Sequence, residues 1–120
     1  MKALSLKQPW AELVLLEKKT IETRKWKTNF RGEFYIHASK NVDERSAKEF
    51  GLKDFKTGAL IGIAELVSIK EYKDEKDFHK DDNKHLAKNL KFRRYGFVLN
   101  NIKRIQPTSY KGRLNFFEVK

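Results

Sequence analysis

Residues 5 to 38, SLKQPWAELVLLEKKTIETRKWKTNFRGEFYIHA, change hydrophobic period once, from helical spacing to strict alternation. Trp10, Leu13 and Val14 recur at helical spacing behind Pro9, which suits a first helical turn because its missing amide has no partner to lose there. The helix is therefore predicted to begin near Lys7 or Gln8, with Trp10 in the core. From Thr20 the period falls to two: Ile21 and Thr23 alternate with Thr20, Glu22 and Arg24, which predicts an extended segment with Ile21 inward. After the turn TNFRG, closed at Gly32, Phe34, Ile36 and Ala38 alternate against Tyr35 and His37, the pattern of a strand. A helix feeding a short strand and then a strongly patterned one points to a mixed α and β architecture.

The rest of the chain is read in the same way. MKALSL is a first strand, and 41–50 a short helix capped by Asp43, with Ala47 and Phe50 inward and Gly51 just past its end. TGALIGIAELVSIK is the most apolar strand. Gly58 and Gly62 within it signal a bend or a close approach of other backbone, and Glu65 is its one charge, which either points outward or faces the site and pairs with one of its cations. Residues 70–94 are the least apolar, a long polar loop with one helix over 82–91 anchored by Leu86 and Leu90. YGFVLNNIKRI is another strand, and GRLNFFEVK ends the chain with Leu114, Phe116 and Phe117 buried. The expectation is one domain over 1–120: an α+β fold built as a small, mainly antiparallel β-barrel with flanking helices. No GxGxxG or GxxxxGK marks a nucleotide-binding turn.

The formal net charge is +11, and it is clustered. Lys18, Lys19, Arg24, Lys25, Lys27 and Arg31 form one group, Lys88, Lys91, Arg93 and Arg94 a second, and Lys103, Arg104, Lys111 and Arg113 a third. Such fields draw a polyanion by counterion release, which makes nucleic acid the leading partner class ahead of a generally basic surface. With no cysteine there is no thiolate nucleophile, disulfide or thiolate metal site. His37, His79 and His85 lack tight ligand spacing, His79 and His85 are expected to face solvent, and neither a metal nor a cofactor is predicted. No apolar run is long enough for a membrane span and the start lacks a secretory hydrophobic region, so the expected location is cytoplasmic, without membrane association.

Residues 18–31 hold what a site for a nucleic-acid strand needs. Lys19, Arg24, Lys25, Lys27 and Arg31 suit phosphates, Arg24 with a planar fork, and Trp26 suits stacking on a base or packing over the turn. Glu22 is the exception in this cationic run. It can pair with Lys19 or Arg24, accept from a base or nucleoside amine, or act as a general base. Tyr35 and His37 line the same cavity if their strand face is the open one.

QPWA, then EKKTIETRKW and RGEFYIHAS, resemble the ASCH domain, named for homology to a human transcription coactivator and placed in the PUA-like group of RNA-associated folds. The family pattern G-x-K-x-x-E-x-R is similar to Glu17, Lys19, Glu22 and Arg24 here, with glutamate in place of the glycine. The resemblance implies a β-barrel with flanking helices and a cleft beside the motif. It also implies RNA or DNA binding, with RNA favoured, single-stranded DNA second and a nucleoside as a further ligand. One branch hydrolyses the amide of acetylated cytidine and another member is a ribonuclease. In an enzyme of that kind Lys19 and Glu22 would be the catalytic pair, Lys19 matching the lysine of the hydrolase branch and Glu22 standing where that branch has threonine.

Overall fold

The structure, a computed structural model, describes residues 1–120. In chain order it consists of β1 (Lys2–Gln8), α1 (Trp10–Leu15), β2 (Ile21–Arg24), β3 (Gly32–Val42), α2 (Glu44–Glu49), β4 (Ala59–Glu71), α3 (Glu75–His79), α4 (Asp82–His85), β5 (Tyr95–Ser109) and β6 (Phe116–Glu118). No helix is long and apolar enough to cross a membrane.

The six strands form one sheet in the order β2-β5-β4-β3-β1-β6. The β1/β3 ladder is parallel and the others are antiparallel, so the mainly antiparallel, mixed α and β fold is as the patterning predicts. The predicted closed barrel is not what the ladders show: β2 and β6 remain unpaired edges. Both edges are short, and side chains occupy the gap between them. Trp26 meets Phe116 edge-on at 6.0 Å between ring centroids, and Phe97 stacks over Phe116 at 6.3 Å. Arg24 adds a polar link, its Nη2 donating to the Ser5 carbonyl of β1 at 2.9 Å. Ser5 lies just beyond the β1 segment that pairs with β6, so its carbonyl faces a stretch without a strand partner on that side.

The core includes Leu4, Leu6, Phe34, Ile36, Leu66 and Phe97 of the sheet, packed with Ala11, Val14 and Leu15 of α1. Each large aliphatic or aromatic side chain so buried contributes about 1.5–3 kcal/mol relative to exposure. The close approach signalled by Gly62 is real: a Cβ there would lie 2.8 Å from the Lys103 carbonyl oxygen and also strike the Leu15 side chain.

Other expectations are corrected. The first helix begins at Trp10, because β1 runs on to Gln8, whose carbonyl accepts from Asp43 N–H and whose side chain accepts from Glu12 N–H at the helix start. Phe50 lies at the surface, with Trp10 edge-on 5.8 Å away. The helix predicted over 82–91 stops at His85, because Leu86 turns left-handed at φ 60°. The polar insertion instead folds around a small apolar cluster of Tyr72, Phe78 and Leu90. His85, expected at the surface, is fully buried and stacks on Phe78 at 4.0 Å. Leu114, expected in the core, is exposed, while Phe117 is buried. Glu65 does point away from the core, accepting from Asn101 Nδ2 at 2.6 Å.

Candidate nucleic-acid interface

The motif is aimed by the way α1 ends. Lys18 N–H donates to the Leu13 carbonyl at 3.0 Å and Glu17 N–H to the Val14 carbonyl at 2.9 Å, the paired bonds of a Schellman turn. Glu17 takes the left-handed residue of that turn, φ 59°, which explains why the pattern it resembles carries glycine at this position. The turn reverses the chain so that Lys19 leaves the helix pointing inward.

Lys19 has only 3% of its side chain exposed. Its Nζ donates to the His85 carbonyl, lies 3.5 Å from Glu22 Oε1 and sits 5.4 Å from the centre of the Trp10 ring. The backbone of α4 is fixed alongside, Thr20 N–H donating to the Lys84 carbonyl at 2.9 Å. Burial pushes the Lys19 amine below its ordinary pKa; Glu22 opposes that shift, and Arg24 and Arg93 reinforce it.

Glu22 accepts from both sides. Its Oε2 takes Arg24 Nη2 at 2.9 Å and Arg24 Nε at 3.1 Å, while Oε1 faces Lys19. The carboxylate therefore fixes two cations in one place, the structural pairing that is its first sequence reading. Because β2 pairs with β5 through Ile21↔Val98, Glu22↔Phe97 and Arg24↔Tyr95, Glu22 and Arg24 stand on ordered sheet, with Lys19 in the short connection that leads into it.

A second polar array lies beside it. Ser5 and His37 are register partners of β1 and β3, and Ser5 Oγ is 2.9 Å from His37 Nδ1. His37 Nε2 is 2.6 Å from the Tyr110 carbonyl, which can only accept, so Nε2 carries a proton, and in the neutral ring Nδ1 is then the acceptor for the Ser5 hydroxyl. Gly112 lies against this pair; a Cβ there would be 2.8 Å from His37 Cε1 and 3.2 Å from Ser5 Oγ.

Both arrays open into one cavity of roughly 1670 Å³. Its lining includes ten lysines and arginines against two carboxylates, Glu22 and Asp43. Asp43 is occupied as the cap of α2, accepting from Ser46 N–H at 3.1 Å. Of the residues singled out in the sequence, Lys19, Glu22, Arg24, Lys25, Trp26 and His37 line this cavity. Lys27, Arg31 and Tyr35 do not. Lys27 lies over Tyr95 at 6.0 Å, Arg31 donates to the Thr28 and Phe30 carbonyls, and Tyr35 packs against the cluster of Ala3, Leu60 and Phe117. Trp26 reaches the cavity with its ring wedged edge-on against Phe97 at 5.2 Å.

Several lining residues escape a reading of the sequence. Helical spacing assigns Trp10 to the core, yet it is half-buried and its ring faces Lys19. Ser5, Lys40 and Arg45 come in through strand register and chain return, for which the sequence carries no local signal, and Lys111 and Arg113 are visible there only as part of a charge cluster. Arg93 belongs to a charge cluster visible in the sequence, but nothing there links it to Lys19. From the acidic 70–85 stretch no carboxylate lines the cavity. Asp81 instead accepts from Tyr72 at 2.8 Å and Lys70 at 2.9 Å, and Asp74 caps α3. No group of three or more histidines, aspartates or glutamates is placed to hold a metal ion.

The family model of the ASCH domain matches residues 4–109, and the chain belongs to that family. Among solved structures it is similar to ASCH from Zymomonas mobilis, at 15% identity and a TM-score of 0.70, covering 99% of this chain and 87% of that one. Two mutant forms of the Zymomonas mobilis protein, one with a tyrosine changed to phenylalanine and one with a serine changed to alanine, match with the same TM-score and identity, over 89% and 87% of their chains. No curated protein matches the sequence significantly.

Proposed function

We propose that this protein binds nucleic acid in the cavity at the ASCH motif, RNA ahead of single-stranded DNA. The observation that carries this reading is the charge of the lining, ten cationic side chains against two carboxylates, one of them used as a helix cap. At roughly 1670 Å³ the cavity exceeds the 300–1,000 Å³ typical of small-molecule sites, which suits a stretch of chain rather than a single metabolite. Lys25, Lys40 and Arg93, all in the lining, meet phosphates in this reading. Lys19, Glu22 and Arg24 form a deeper, rigid set of donors and one acceptor for the edge of a base, with Trp10 alongside.

Fluorescence anisotropy with short single-stranded and duplex RNA and DNA across a salt series tests it. Affinity should fall linearly in log–log form with salt, and each of Lys25→Ala, Lys40→Ala and Arg93→Ala should reduce the slope by about 0.7 on a single strand. Absence of binding at low salt, or affinity indifferent to salt, refutes the proposal.

The burial of Lys19 favours one second reading, amide hydrolysis on a modified nucleoside such as acetylated cytidine. Desolvation lowers the pKa of the amine, which favours the neutral form that a general base needs. Against it, Glu22 at 3.5 Å favours the ammonium form, and the insertion supplies no carboxylate to the cavity. Incubation with acetylated cytidine decides between them: no release of acetate removes the enzyme, and release that persists unchanged in Lys19→Ala removes Lys19 as its base. Labelled RNA in the same assay tests strand cleavage.

A further inference from the structure

The two most exposed large hydrophobic side chains in the protein are Leu114, 90% exposed, and Phe92, 77% exposed, and both line the same cavity. Each stands at the tip of a tight bend, where polar or small residues are the rule. Phe92 follows Lys91, whose φ is +34°, in a turn closed by the Arg93 amide donating to the Leu90 carbonyl. Leu114 precedes Asn115, whose φ is +58°.

The two tips are built alike. Two residues before Phe92, Leu90 is anchored in the Tyr72 and Phe78 cluster; two residues after Leu114, Phe116 is packed against the core aromatics. Each exposed side chain is thus rooted in packed structure and held out into water. Each also has an arginine beside it in sequence, Arg93 and Arg113, and both arginines line the cavity. An apolar surface with a guanidinium next to it, repeated on two separate segments, matches the two halves of an unpaired nucleotide, a flat base and its phosphate.

We infer that Phe92 and Leu114 are apolar lips that grip an unpaired base and make the cavity select single strands over duplexes. This rests on the nucleic-acid reading of the same cavity. A base inside a duplex has both faces covered by its neighbours, so Phe92 can stack only on one that is unpaired or at an end. Arg93 and Arg113 fix the flanking phosphates in either case, so a duplex still binds through charge but gains nothing from the lips.

The experiment compares wild type, Phe92→Ala, Leu114→Ala and the double variant by anisotropy on a single-stranded RNA and on a hairpin duplex of the same composition. Since both side chains are in water, all variants should keep the wild-type circular dichroism and melting temperature. The expected result is about tenfold weaker single-strand binding for Phe92→Ala, unchanged duplex binding and an unchanged salt slope, because an apolar contact releases no counterion. Quenching of a 2-aminopurine in the strand should be lost in the same variant. Equal losses on both substrates, or single-strand affinity within twofold of wild type, overturn the inference while leaving the nucleic-acid reading in place. Failure of the wild type to bind any nucleic acid at low salt overturns both. If the double variant binds RNA normally but loses self-association in sedimentation, the lips are an interface between copies, and the inference is also overturned.

Discussion

The Arg24 guanidinium and the Ser5 carbonyl oxygen meet at 2.9 Å across the gap where the sheet does not close. The same guanidinium holds Glu22 Oε2. One side chain thus ties β2 to β1 and orients the carboxylate that faces Lys19, so the geometry of the motif and the join between the two sides of the fold are coupled.

Replacing Arg24 with lysine keeps the charge and loses the fork. An ammonium can reach Glu22 or the Ser5 carbonyl but cannot span both, so one partly buried acceptor loses this donor. Arg24→Lys should lower stability by about 1–3 kcal/mol in urea unfolding. A variant with wild-type stability would show that the link across the gap is incidental.

Glu17 occupies a left-handed conformation in the turn after α1. A residue with a Cβ is strained there by about 1–2 kcal/mol, and glycine is not, although glycine loses more entropy on folding. Glu17→Gly should therefore be neutral to stabilising by about 1 kcal/mol, a rare gain from introducing glycine, read as an increase in melting temperature. A clear loss of stability would mean that the Glu17 side chain contributes something the hydrogen bonds do not reveal.

Lys19 carries a pH signature. Its folded pKa lies below the ordinary 10.5, so between those two values the unfolded chain binds more protons than the folded one, and stability from this group rises with pH. Below the folded pKa the destabilisation is fully present. Unfolding free energy of wild type measured relative to Lys19→Met should consequently increase on the approach to pH 10.5. A flat difference between the two proteins would contradict the burial of the charge.

The two histidines of the insertion should titrate in opposite directions. His85 donates from Nε2 to the Phe78 carbonyl and accepts at Nδ1 from Ala87 N–H, a neutral ring whose pKa burial pushes down from 6.5. Its contribution to stability is complete above 6.5 and falls as pH drops from 6.5 toward the folded value. His79 sits between Asp82 and Glu75 and is raised, chiefly by the hydrogen bond to Asp82. Its stabilisation is present below 6.5 and is lost as pH climbs through its folded pKa. Ring-proton NMR titration should place the two midpoints on opposite sides of 6.5; coincident midpoints would refute the assignment.

What the sequence discloses follows from how local each signal is. Ile21, Phe34 and Ile36 are legible as inward because a period of two is written along one strand, and Asp43 as a cap because it needs only Ser46 three residues on. Lys19, Glu22 and Arg24 are legible as a set for the same reason. His85 is not, because its burial depends on Phe78 and Tyr72 folding the insertion into a core of its own, which low local hydrophobicity conceals. Leu114 misleads in the reverse sense: an apolar residue next to two phenylalanines of the core side reads as core, but a bend at Asn115 turns it outward. The ladders leave the sheet open between β2 and β6, and the three residues of β6 carry too little pattern to show in the sequence where pairing stops.

The ceiling over Lys19 is the carbonyl of a residue 66 positions further along the chain. During synthesis, a ribosome that has released the whole motif has therefore not yet released what encloses it. Until His85 emerges and docks, Lys19 is an ordinary hydrated amine, and β2 beside it still awaits its partner β5. The special character of that amine is acquired late, as an act of tertiary assembly.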